Sequence, residues 1–228
     1  MITTRGRDLN HVASLYDPVI EILSFGREQR FRDLSLEHMA IRPDDRILDI
    51  GCGTGTLTLL AAKHLTVTGN ATGIDAATKM IAIARNKAEQ QGIPARFEHA
   101  VAEALPFNDS AFTLVVSSMF CHHIDLELKR LAFREMLRVL APGGRLVCAD
   151  IDRPTTILGW LTGWTGRWLL LQPELADNLR GLLPNLIEEA GFIAVRRVAH
   201  VHGLISVFTA IKSDTNPGNR PASEVSRP

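Results

Sequence analysis

An excess of charge of either sign is absent from this 228-residue chain: lysine plus arginine and aspartate plus glutamate each total 25. Without a basic field a polyanion such as tRNA or DNA has nothing to hold it, so no nucleic-acid partner is expected. Cysteine is scarce, and Cys52, Cys121 and Cys148 show no C-x-x-C spacing, which removes a disulfide framework and a thiolate metal site. His122, His123 and Asp125 alone do not make a recognisable ligand set, so no metal is expected either. No apolar h-region follows Met1–Arg7, so nothing argues for secretion and the cytoplasm is the expected compartment.

What the chain does have is glycine at alternate positions. In Ile47-Leu48-Asp49-Ile50-Gly51-Cys52-Gly53-Thr54-Gly55-Thr56 a short apolar strand ends in an acid and three glycines and runs into a helical stretch over Leu57–His64. Residues without a Cβ let a turn adopt unusual φ values and let a ligand lie against backbone. A dinucleotide fingerprint spaces its glycines G-x-G-x-x-G to grip a pyrophosphate. Here the pattern is D-x-G-x-G-x-G, and the carboxylate of Asp49 suits a ligand with an ammonium or hydroxyls and little phosphate. A tight strand-to-helix turn that serves only folding is the alternative. A second strand, Ala71–Asp75, ends in another acid about 20 residues on, the place where nucleotide folds keep a ribose-binding carboxylate. Two acids at adjacent strand ends define a crevice at the carboxyl edge of an open α/β sheet.

The remaining pattern supports one domain. Helical periodicity covers His11–Arg32, and a second short helix over Leu34–Ala40 precedes Pro43, making residues 1–44 an N-terminal helical cap. Strands are expected at Arg46–Ile50, Ala71–Asp75, Arg96–Val101, Phe112–Ser117 and Arg145–Asp150, separated by amphipathic segments, which predicts a parallel sheet. The helix Leu126–Leu140 should end in a turn over Ala141-Pro142-Gly143-Gly144. A tryptophan-rich insertion over about 153–181 precedes a helix Leu182–Ala190 with Gly191 as terminator. The strands Ile193–Ala199 and Leu204–Lys212, joined by the short His200–Gly203 loop, should form an antiparallel hairpin closing the domain over 45–212. Residues 213–228 are polar and read as a disordered tail.

Four segments together resemble the class I S-adenosylmethionine (SAM)-dependent methyltransferases, and within them the small-molecule group of the ubiquinone and menaquinone C-methyltransferases: Ile47–Gly55, Thr72-Gly73-Ile74-Asp75, Ala102-Glu103-Ala104-Leu105-Pro106-Phe107, and Leu137–Leu146. The resemblance covers residues 12–212 and implies a Rossmann-like, mostly parallel seven-stranded α/β sheet with an antiparallel last strand and helices on both faces. It implies SAM as cofactor and S-adenosylhomocysteine as product. Asp49 would reach the amino group, Gly51, Cys52, Gly53 and Gly55 would lie under the methionine part, and Asp75 would hold the ribose hydroxyls. Ala76 and Met80 would flank the adenine, with Met80 equally readable as a core residue. Relatives often carry an acid where this chain has Val101, leaving the backbone of Val101 and Ala102 to meet the adenine edge; a second common acid is Thr113 here. Tyr16-Asp17 resembles the element that folds an N-terminal helix over SAM, so Tyr16 is a candidate lid residue, with simple helix packing as the alternative.

Methyl transfer from a sulfonium needs alignment above all. If the acceptor must lose a proton, the segment Ser117–Asp125 after the fourth strand supplies His122 and His123 as candidate bases, with capping of the next helix as the bland alternative, and Ser117 lies at the cofactor's end of it. Trp160, Trp164 and Trp168 recur every four residues, on one helix face. Core packing, a wall for an apolar acceptor and peripheral contact with a membrane are the three readings of that face. The leading function is SAM-dependent methyl transfer to a small apolar or aromatic acceptor such as a quinone precursor, lipid amine or secondary metabolite. The alternative is a non-catalytic SAM-binding regulatory or assembly subunit. An NAD-dependent oxidoreductase conflicts with the glycine spacing.

Overall fold

A computed structural model describes residues 27–67, 69–169 and 172–214. Helix α1 spans Arg27–Met39 and leads into β1, Arg46–Ile50. The glycine turn follows, then α2 (Thr56–Ala62), β2 (Asn70–Asp75), α3 (Thr78–Gln91) and β3 (Ala95–His99). Next come β4 (Phe112–Ser118), a 3₁₀ turn at Cys121–His123, α4 (Leu126–Val139) and β5 (Leu140–Ile151). Helices α5 (Ile157–Leu169), α6 (Leu175–Leu179) and α7 (Leu183–Glu189) precede the hairpin of β6 (Ile193–Val201) and β7 (Ile205–Ile211). The seven strands form one sheet in the order β3-β2-β1-β4-β5-β7-β6, in which β7 runs antiparallel to both β5 and β6 and the other pairs are parallel.

The central strands are buried on both faces, so they read as continuous apolar runs. On one face Leu48, Val115, Leu146 and Phe208 pack against Leu128, Phe133 and Met136 of α4 and Leu186 and Ile187 of α7. On the other, Ile47, Leu114, Val116 and Val147 pack against Phe31 and Met39 of α1 and Leu57 and Ala61 of α2. The alternation of neighbouring residues between the two clusters is the strand's period of two. Helix α4 starts where the Asp125 carboxylate accepts from the Leu128 N–H at 2.8 Å, which takes the capping role away from the two histidines before it.

Three expectations are corrected. The sequence divides the N-terminal region between Arg32 and Leu34, but α1 runs through both. No proline or glycine interrupts it, and Phe31, Ser35 and Met39 are buried four residues apart on one face. The turn expected over Ala141–Gly144 lies within β5, which begins at Leu140. Register shifts between the Phe112–Leu140 and Leu114–Arg145 pairs, so Pro142-Gly143-Gly144 bulges. Backbone bonds from Gly143 N to Lys212 O (3.0 Å) and from Lys212 N to Gly144 O (2.9 Å) keep it in the sheet. Lastly, β3 ends at His99, and Val101 makes only an isolated bridge to Ala104. The β6–β7 turn falls at His202-Gly203, whose φ values of 55° and 66° suit a tight hairpin.

The insertion after β5 is fastened from below by Lys129 of α4. This fully buried ammonium donates to the Glu174 carbonyl at 2.9 Å and lies 3.3 Å from the Asp177 carboxylate. Packing and surface pairing should separate cleanly in urea unfolding of two α4 variants. Phe133→Ala, at a fully buried position, should cost about 3–5 kcal/mol. Arg130→Ala, which breaks the exposed pair with Glu189, should cost about 0–1 kcal/mol.

Candidate active site and cofactor cradle

Where β1 ends, the chain turns back on β2: the N–H groups of Gly51 and Cys52 both donate to the Ile74 carbonyl at 2.9 Å. Gly53 has φ +54°, and a Cβ there would meet no atom within 4 Å. A left-handed residue facing open space is what a ligand lying on backbone requires. Gly55 differs, since its missing side chain makes room for the Phe97 ring, a packing role. A Cβ on Gly51 would sit 2.5 Å from the Phe120 ring. Phe120 therefore walls the turn from the β4 side, a position that sequence reasoning passed over because a lone aromatic after a strand carries no motif.

The Asp75 carboxylate bridges this turn to the next helix. One oxygen accepts from Gly53 N–H at 2.9 Å and the other from Ala77 N–H at 2.8 Å. Behind it, Asp49 is buried and its Oδ2 accepts from the Thr58 hydroxyl at 2.6 Å. Burial, aided by the nearby charge of Asp75 and opposed by the Thr58 bonds, pushes the Asp49 carboxyl up to about 7. Burial and the same two acids push the Cys52 thiol up as well, so it stays protonated and unreactive.

Ala76 is held by His99, whose Nε2 is 3.0 Å from its carbonyl oxygen. Met80 is buried with Ala77 in the first turn of α3. Val101 and Ala102 are buried beside the end of β2, where Ala100 N–H donates to the Asp75 carbonyl. The loop beyond them is pinned to α4 by Glu135, which accepts from Leu105 N–H at 2.8 Å, and by Arg138, which donates to the carbonyls of Leu105 and Phe107. The Arg138 guanidinium holds the Glu135 carboxyl below its usual range. Ser117, paired with Ile50 and Cys148, is fully buried and its hydroxyl has no partner among the described residues. Thr113 lies at the opposite end of β4, where its hydroxyl donates to Asp45 at 2.7 Å. Tyr16 lies outside the described residues.

The residues present fit an amino-acid-bearing nucleoside: an open backbone cradle at Gly53, a strand-end carboxylate at Asp75, a buried acid at Asp49 and, among the described residues, an unpartnered hydroxyl at Ser117. Asp49, Gly51, Cys52 and Gly53 would hold the amino-acid end, Asp75 the ribose, and Ala76, Val101 and Ala102 the base. When bound, SAM supplies a methyl group on a positively charged sulfur.

Next to the cradle, His122 Nδ1 is 2.7 Å from Asp150 Oδ1 at the end of β5. Asp150 is fully buried and accepts from the N–H groups of Cys121 (2.6 Å) and Ile151 (2.7 Å) and from the Asn178 amide (3.3 Å). Burial alone would raise its pKa, but the His122 charge and hydrogen bond and the Ile151 N–H together hold the carboxyl below the usual carboxylate range. An ionised Asp150 fixes the His122 tautomer with the proton on Nδ1, leaving Nε2, which has no partner among the described residues, as the basic atom. The His123 ring lies against it, tilted by 44° at a centroid distance of 4.0 Å, and its Nδ1 meets Gln172 Nε2 at 3.5 Å. Asp150 and Asn178 gave no signal in the sequence beyond an acid at the end of a buried strand.

The family described as a methyltransferase domain matches residues 47–144. A demethylmenaquinone methyltransferase of Thermus thermophilus is 40% identical over 146 residues, an alignment spanning 64% of this chain and 64% of that protein. An uncharacterized methyltransferase of Synechocystis is 34% identical over 197 residues, covering 85% of this chain and 88% of its own length. Among solved structures, a SAM-dependent methyltransferase from Aquifex aeolicus superimposes with a TM-score of 0.63 at 18% identity, covering 90% and 99% of the two chains, a likeness of fold. With sheet order, cradle and matched segments in agreement, the chain belongs to the class I SAM-dependent methyltransferases.

Proposed function

We propose that the protein methylates a small, apolar aromatic acceptor of the hydroquinone class, a quinone precursor, with His122 taking the acceptor's proton. The observation that carries this reading is the His122–Asp150 pair, 2.7 Å apart, with no partner on the second imidazole nitrogen among the described residues. A hydroquinone carbon or oxygen becomes a good nucleophile when its hydroxyl proton leaves, and an imidazole titrates in the right range to receive it. The acceptor class draws on the Thermus relative, whose name states action on demethylmenaquinone. The buried thiols of Cys121 and Cys148, unlinked at 3.9 Å, suit the reducing cytoplasm.

The protein's share of the work divides unequally. Alignment of acceptor and cofactor supplies roughly 7–11 kcal/mol in well-oriented systems. Proton removal supplies about 10²–10⁴-fold, or roughly 3–5 kcal/mol. Asp49 has a separate task, to meet the cofactor's ammonium, and Asp75 fixes the ribose.

Transfer of labelled methyl from SAM to a demethylated hydroquinone tests the reading. His122→Asn should lower kcat by about 10²–10⁴-fold while leaving cofactor affinity intact. An unchanged kcat would remove His122 from the mechanism, and no label on any hydroquinone would remove the acceptor class.

A pH dependence follows from Asp49. Its folded pKa of about 7 lies above the ordinary 3.8, so the folded state binds the proton more tightly. Stability should therefore fall as pH rises from about 4 to about 7 and level off above. SAM affinity, which needs the carboxylate, should rise through the same upper range and decline once the cofactor's own amino group loses its proton near about 8. Titration calorimetry from pH 5.5 to 9 reads both limbs, and Asp49→Asn should abolish the rising one.

A further inference from the structure

Helix α5 is turned inside out relative to an ordinary surface helix. Its inward side is glycine: a Cβ on Gly163 would lie 2.7 Å from Leu179, and one on Gly159 would collide with the Gly203 carbonyl. Its outward side is apolar, with Ile157 87%, Leu158 71%, Trp160 56%, Leu161 54% and Trp168 70% exposed. Trp164, half-buried, stands 6.5 Å from the Trp160 ring. Core packing, one reading of the tryptophan stripe, is thereby overturned for Trp160 and Trp168, because close approach of the glycine side to α6 and the β6–β7 turn forces the tryptophans outward. Soluble surfaces rarely keep such a stripe uncovered.

Two features select the cover. Residues 153–172 contain no carboxylate and two arginines, Arg153 and Arg167. The Arg167 guanidinium lies 5.7 and 5.1 Å from the Trp164 and Trp168 ring centroids, at the rim of the stripe. Arg180, at the end of the adjoining α6, is exposed. Apolar residues rimmed by cations complement an anionic lipid surface. Charge argues against a second copy of the chain: a two-fold pairing of this face would set its arginines against the same arginines of the other copy, and like charges facing one another across an interface oppose association. Among the described residues no helix is long and apolar enough to cross a membrane.

We infer that α5 is an in-plane anchor that lays Ile157, Trp160, Leu161 and Trp168 into the headgroup boundary of an anionic phospholipid bilayer. Tryptophan favours that boundary, and arginine meets lipid phosphate. The inner side of α5 rests on α6, which packs against the turn carrying His122 and His123. Docking therefore brings the lipid surface to the acceptor side of the site. The inference concerns binding alone and stands whether or not the acceptor is a hydroquinone.

Trp160, Trp164 and Trp168 are the chain's three tryptophans, so intrinsic emission reads this helix by itself. Full-length protein mixed with phosphatidylcholine vesicles containing phosphatidylglycerol should sediment with them and shift its emission to the blue. A Trp160→Ser, Trp168→Ser double variant should partition at least about tenfold more weakly with an unchanged unfolding midpoint. Arg153→Gln should weaken partitioning about fivefold. The inference is overturned if the wild type stays in the supernatant with unshifted emission. It is equally overturned if emission without lipid is already blue and shielded from iodide, since the chain's other residues then cover the stripe. A dimer in sedimentation velocity that the double variant dissolves would assign the face to a second copy.

Discussion

A single carboxylate at the end of β2 organises the cofactor half of this protein. Asp75 accepts from Gly53 N–H and from Ala77 N–H, so it ties the turn after β1 to the start of α3 and sets the width of the crevice between them. Charge-assisted bonds of this kind are stronger than neutral ones. The same negative charge acts on Asp49, which has little water to stabilise it and takes its hydrogen bonds from Thr58. The cradle thus holds an acid poised between charge states near neutrality. A ligand that brings its own positive charge would relieve that tension, whereas an anionic pyrophosphate would add to it.

The acceptor half depends on a second buried acid. Asp150 gathers the turn after β4, through Cys121 N–H and His122, and the inserted helix α6, through Asn178. Lys129 adds a further clamp from α4 to the same helix. The loop that carries the histidines and the insertion that covers them are therefore one hydrogen-bonded unit. Loss of any member leaves a buried polar group without its partner, which costs more than the bond itself is worth.

Much of the architecture was legible because it is written in local pattern. β1 was read to the residue as Arg46–Ile50, and the hairpin of β6 and β7 followed from its short connection. The glycine turn and the two acids stood out because backbone conformation and strand-end charge leave a spacing in the chain. What stayed hidden is produced by distance in sequence. Asp150 meets His122 across 28 residues, and Lys129 reaches Asp177 across 48. Helix α6, with five residues, is too short to show a period. The bulge in β5 reads as a turn in the sequence because proline and glycine mark both, and the pairing with Lys212 tells them apart. The tryptophans were correctly placed on one face, but periodicity says nothing of which way a face points.

The central claim is that the Asp75 bridge builds the SAM site. Titration calorimetry with SAM and S-adenosylhomocysteine, comparing the wild type with Asp75→Ala, addresses it directly. The account predicts saturable one-to-one binding of both to the wild type and a loss of at least about 100-fold in the variant, as two charge-assisted hydrogen bonds of about 1.5–3 kcal/mol each would give. Equal affinity in the two proteins, with the variant folded by circular dichroism, would contradict it.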